Sequence, residues 1–120
     1  MMKHLLLVGL GGAIGSMLRY AGGLLYTNRT FPLSTFLINI IGSFCIGMVI
    51  GFCIKDEQVS QNWKLFLATG ICGGFTTFST FSFENLLLLQ EGKILLSILY
   101  IAGSIIIGIS AAWVGFRLIN

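Results

Sequence analysis

Thr35, Asn39 and Ser43 recur every fourth residue in a stretch, 33–54, that holds no charged side chain. On a helix this spacing stacks two hydroxyls and an amide along one face. Lipid cannot satisfy such groups, so in a membrane span they turn toward protein or a water-filled path. Two uses fit the stripe. It can bond neighbouring helices together, worth about 0.6 kcal/mol per contact, or it can replace the hydration of a passing ion.

A second constellation begins after Cys72, in the run Gly73-Gly74-Phe75-Thr76-Thr77-Phe78-Ser79-Thr80-Phe81-Ser82. Paired glycines and a β-branched pair lower helix propensity where the preceding apolar pattern would have continued, which predicts a break near 73–77. Peptide groups freed by a break in hydrocarbon are costly unless protein, water or an ion takes them up. Phe78 and Phe81 lie one turn apart among the hydroxyls, and an aromatic ring edge carries positive charge that can face an anion. Simple packing is the competing use of each ring.

Arg19 falls deep in the first apolar stretch, on the helix face of Gly12, Ser16 and Gly23. An intramembrane arginine costs on the order of 3 kcal/mol. It either gives a vestibule positive potential that draws anions, or snorkels to the interface beside Tyr20 or caps carbonyls. Tyr100 and Ser104, one turn apart, offer further donors. Tyr100 also fits an aromatic belt with Tyr26, Trp63 and Trp113. Glu84 and Glu91 fall toward the end of the third helix, leaving no acid at mid-membrane of the kind a proton-coupled exporter uses.

These residues need membrane helices to position them. Of the 120 residues, 56% are hydrophobic and only 9% charged, too few to clothe a soluble domain. Four stretches, 5–26, 33–54, 65–90 with its break, and 94–116, are long enough to cross a hydrocarbon core of about 30 Å. The expectation is an all-α membrane protein, a single four-span domain over residues 1–120. The connections have no room for a catalytic domain, so no enzyme is expected, nor a nucleic-acid partner despite the net charge of +3. The first stretch is too long for the apolar part of a cleaved leader and contains Arg19, so it reads as a mature span. Cys45, Cys53 and Cys72 are isolated and read as packing residues, and His4 as a solvated one, which argues against a side-chain metal site.

With four spans, Lys3, Lys55, Lys64 and Arg117 share one side and Arg29 and Lys93 the other. This small bias predicts insertion in both orientations. Four short helices do not easily enclose a path, so a homo-oligomer is expected. Gly11 with Gly15, Ser43 with Gly47 and Gly51, and Ser104 with Gly108 and Ala112 permit close helix approach, within one subunit or between subunits.

Three stretches resemble the Fluc (CrcB) fluoride channel family: Gly11-Gly12-Ala13-Ile14-Gly15-Ser16-Met17-Leu18-Arg19-Tyr20, Asn39-Ile40-Ile41-Gly42-Ser43-Phe44, and Gly70-Ile71-Cys72 continued through Ser82. The resemblance runs the length of the chain in order, and the third stretch is the most specific. It implies an antiparallel, dual-topology homodimer in the cell membrane, with two pores for fluoride and a central structural sodium ion (Na+). Asn39 is then the pore asparagine, Phe78 and Phe81 line the pore, and the carbonyls of Gly73 and Thr76 hold sodium. Thr35, Ser43 and Thr77 contribute hydroxyls, while Tyr100 and Ser104 fall on a polar track whose next turn is Gly108, with Ser110 nearby. Ser34 stands where the family commonly has glycine.

The chemistry is coherent on its own terms. Stripping water from fluoride without replacement costs on the order of tens of kcal/mol, so donors are obligatory along its path. Carbonyls at broken helices suit a hard cation. The alternative is a small antiparallel-dimer cation or drug exporter, and beyond it a non-conducting structural subunit.

Overall fold

The computed structural model describes residues 1–25, 31–56, 58 and 61–120. Among the described residues all regular structure is helical. Helices α1 (Met2–Leu25) and α2 (Leu33–Lys55) are followed by a composite third span. It runs through α3 (Gln61–Lys64), a wide π-helical segment (Leu65–Cys72), α4 (Gly73–Phe75) and α5 (Phe78–Gln90), and α6 (Ile94–Ile119) closes the chain. Among the described residues four helical stretches, the third being Gln61–Gln90, are long and apolar enough to cross a membrane. Leucines and isoleucines such as Leu18, Ile105, Ile106 and Ile109 face outward, as expected where the solvent is lipid. The protein is a multi-pass membrane protein.

Small residues decide which helices touch. Helix α1 packs chiefly on the π-helical segment and α4, and α2 chiefly on α6. A Cβ added to Gly74 would lie 3.0 Å from the Gly12 Cα, and one added to Gly47 would strike the Ala112 backbone. The backbones therefore meet directly. Gly11, Gly15, Gly47 and Ala112 thus serve contacts within this chain, and Gly108 faces Ser43 across the same α2/α6 pair. The bundle consists of two close-packed pairs, and the third span passes from one to the other.

That passage is the break. Thr76 (ψ 156°) and Thr77 (φ −149°, ψ 123°) are extended. Helix α5 restarts with the Thr77 hydroxyl as its cap, accepting the Thr80 N–H at 3.2 Å. Before the break the Gly73 N–H reaches back to the Ala68 carbonyl, a wide i→i−5 turn. At its far end α5 stops in a paired motif: Gly92 takes φ +78°, its N–H bonds the Leu89 carbonyl, and the Lys93 N–H bonds the Leu88 carbonyl.

Candidate functional site

The break is held by a side chain from another helix. Asn39 Oδ1 accepts the Thr77 N–H at 2.8 Å, and Asn39 Nδ2 donates to the Thr77 carbonyl at 3.2 Å. The amide acts as a surrogate peptide strand for the extended residue. Because the Thr77 N–H demands an acceptor, the amide orientation is fixed and its remaining N–H hydrogen is free of that pairing.

The same bonds redistribute the carbonyls around the break. In a continuous helix the Thr77 N–H would bond the Gly73 carbonyl and the Thr80 N–H that of Thr76. Here the first goes to Asn39 and the second to the Thr77 hydroxyl. Gly73 and Thr76, the predicted cation ligands, therefore lose their helical donors, and Gly73 is exposed on the chain surface. The Thr76 hydroxyl turns back onto the Cys72 carbonyl at 3.0 Å, so the hydroxyl is engaged and the oxygen that Thr76 could offer a cation is that of its backbone. Such oxygens fit a hard cation. Among the described residues no group of three or more His, Cys, Asp or Glu side chains offers a competing metal site.

Arg19 reaches the same region, its Nε donating to the Gly74 carbonyl at 3.1 Å. Carbonyl capping is thus its observed contact. It also lines a cavity of about 280 Å³ with Thr35, Thr77 and Thr80. Ser34 lies on that cavity wall beside Thr35.

On the other side of Thr77 a groove of about 410 Å³ gathers Asn39, Ser43, Thr77, Phe78, Phe81 and Ser104. Residues from α2, the break, α5 and α6 meet there because α2 and α6 pack tightly and α5 folds back beside them. Among the described residues the buried Ser104 Oγ has no hydrogen-bond partner, and Phe78 is 78% exposed at the groove mouth. Phe78 and Phe81 stand 5.8 Å apart between ring centroids. A larger apolar groove of about 620 Å³, lined by Met48, Phe52 and Trp63 among others, contains none of the predicted residues.

Thr35 and Tyr100 are drawn elsewhere, to a residue the sequence reading had set aside. Glu84 accepts from the Thr35 hydroxyl and from the Tyr100 hydroxyl, each at 2.8 Å. Tyr100 is 1% exposed, which removes it from an interfacial belt, and its ring meets Phe81 edge-on at 4.8 Å. Glu84 is therefore turned into the bundle, although it lies toward the end of the third span. A signal was available: Thr77, Phe81 and Glu84 follow an i, i+4, i+7 pattern and share one helix face. Tyr26, the other predicted belt member near α1, lies outside the described residues.

Comparison with known proteins adds an independent line. The family model described as "CrcB-like protein, Camphor Resistance (CrcB)" matches residues 6–116. A protein of Flavobacterium psychrophilum described as "Fluoride-specific ion channel FluC" is 47% identical, with 95% of this chain and 94% of the relative covered. Relatives with the same description from Oceanobacillus iheyensis and Pyrococcus abyssi are 46% and 41% identical, covering 98% of this chain and 92% and 96% of their own lengths. This chain belongs to the CrcB-like protein family.

Proposed function

We propose that this chain is a fluoride channel rather than an enzyme, conducting the ion passively across the cell membrane and so lowering its level in the cytoplasm. The observation that carries this reading is the groove at the break, where amide and hydroxyl donors converge on two phenylalanine rings inside an apolar bundle. Relatives at 41–47% identity that bear the fluoride-channel description support it.

Fluoride entering the groove needs donors at each step. The free Asn39 N–H hydrogen, the Ser43 hydroxyl and the unpartnered Ser104 hydroxyl supply them on one wall. Ring edges of Phe78 and Phe81 add weak positive charge on another. Beyond Phe81, the Thr35 and Tyr100 protons are already aimed at a carboxylate, Glu84. A carboxylate only accepts, so it keeps both protons pointed inward, and an arriving anion takes over donors that are oriented in advance. Sites of moderate strength in series let the ion leave as well as enter.

Phe78 and Gly73 are both exposed on the single chain, which suits completion of the path by a second copy. The proposed assembly is an antiparallel, dual-topology homodimer in the lipid bilayer. Gly73 and Thr76 carbonyls from both copies would hold a structural sodium ion, whose charge would draw the two breaks together and favour an anion beside them.

Reconstituted protein in liposomes should release fluoride, read with a fluoride electrode, and retain chloride. Equal release of both ions rejects the reading. Glu84 gives the exporter alternative its one support, since it is an acid inside the bundle. Proton uptake coupled to transport would favour that alternative.

A further inference from the structure

Helix α5 carries both rings, yet the extended residues Thr76 and Thr77 uncouple it from the helix before it. Its position must be set by side chains. Glu84 ties it to α2 and α6, but this tie uses the very hydroxyls that a passing anion would take. A second tie runs from the adjacent residue. The Ser97 hydroxyl donates to Asn85 Oδ1 at 2.8 Å, and Asn85 Nδ2 donates back to the Phe81 carbonyl at 2.9 Å.

Asn85 and Ser97 are 7% and 1% exposed, so no water or ion reaches this pair as it reaches the groove. Residues 84 and 85 project about 100° apart around a helix. Together they fix the rotation of α5, and either one alone leaves a single pivot. Building on the fluoride reading, we infer that Asn85 and Ser97 are positioning residues, a permanent anchor that keeps Phe78 and Phe81 in register while Glu84 exchanges its partners with the ion. Neither residue touches the groove, so the effect acts through the rings. The back-bond from Asn85 to the Phe81 carbonyl makes the coupling direct, since the anchor ends on a ring-bearing residue itself.

Single-channel recording in planar bilayers separates positioning from mere stability. A purely structural pair changes how many channels are active, not the current through each. Asn85→Ala and Ser97→Ala should each lower unitary fluoride current about threefold, the scale of one interhelical contact, with the double variant no worse than either single. Ser97→Cys, nearly isosteric with a weak donor, should recover part of the loss. Unchanged unitary current with fewer channels overturns the inference, as do additive effects in the double variant. Should the alanine variants fail to fold, Ser97→Cys decides alone, and wild-type unitary current in it overturns the inference. Absence of fluoride current in the wild type is a different failure, that of the channel reading itself.

Discussion

Asn39 and Thr77, 38 residues apart, exchange two hydrogen bonds, each using one side of the Asn39 amide and one backbone group of Thr77. The pairing replaces what the helix gives up at its break, and it fixes which face of the amide remains for a ligand. Asn39→Leu should therefore fail twice. It should reduce fluoride efflux at least about tenfold and destabilise the fold by about 1–3 kcal/mol through orphaned peptide groups. Efflux from liposomes and thermal unfolding in detergent check both, and a variant with wild-type efflux removes Asn39 from the path.

Glu84→Gln is nearly isosteric but brings an N–H₂ group to a site whose two partners, the Thr35 and Tyr100 hydroxyls, are both donors. One of the Thr35 and Tyr100 hydroxyls must then turn round to accept, and its proton is lost to the ion. Efflux should fall about tenfold, on the order of one misdirected donor, with little change in unfolding temperature. Unaltered efflux would show that the carboxylate does not organise the path.

Phe78 and Phe81 are predicted to differ in what their loss costs. Phe78→Ile removes a ring that is 78% exposed on the single chain, so efflux should slow while the chain stays folded. Phe81→Ile also removes the edge-on contact with Tyr100, so it should slow efflux and lose about 1 kcal/mol of stability. If both variants conduct normally, ring edges play no part.

Gly47 has no room for a side chain, because the Ala112 backbone occupies the space. Gly47→Val should prise α2 from α6 and destabilise by about 1–3 kcal/mol or more. A melting temperature equal to that of the wild type would contradict the packing described.

Sodium dependence tests the proposed cation. Purification with a large organic cation in place of sodium should lower thermal stability, and sodium should restore it in preference to potassium. A melting curve indifferent to the cation argues against a structural ion at Gly73 and Thr76.

Four apolar helices and the interruption of the third were legible because each rests on local chemistry. Long uncharged runs need lipid, and Gly73-Gly74 followed by Thr76-Thr77 weakens a helix wherever it occurs. The meeting of Asn39, Ser43, Phe78, Phe81 and Ser104 was legible only as separate stripes, since no spacing rule says which stripes face one another. Partner choice was less visible still. That Asn39 would spend its amide on the Thr77 peptide, or that Arg19 would take the Gly74 carbonyl, depends on which helices approach, and glycine packing decides that. Glu84 was set aside on depth along the helix, when the direction of its side chain mattered more. Asn85 and Ser97 gave no sequence signal beyond being polar in an apolar setting.

The two close-packed helix pairs have a mechanical corollary. Backbone contact makes each pair stiff, so any tilt forced on the protein by a thicker or thinner bilayer is taken up where one pair hands over to the other. That hinge line runs through Thr76 and Thr77, and the Asn39 amide bridges it. Membrane thickness should accordingly tune the joint beside which the proposed fluoride path runs.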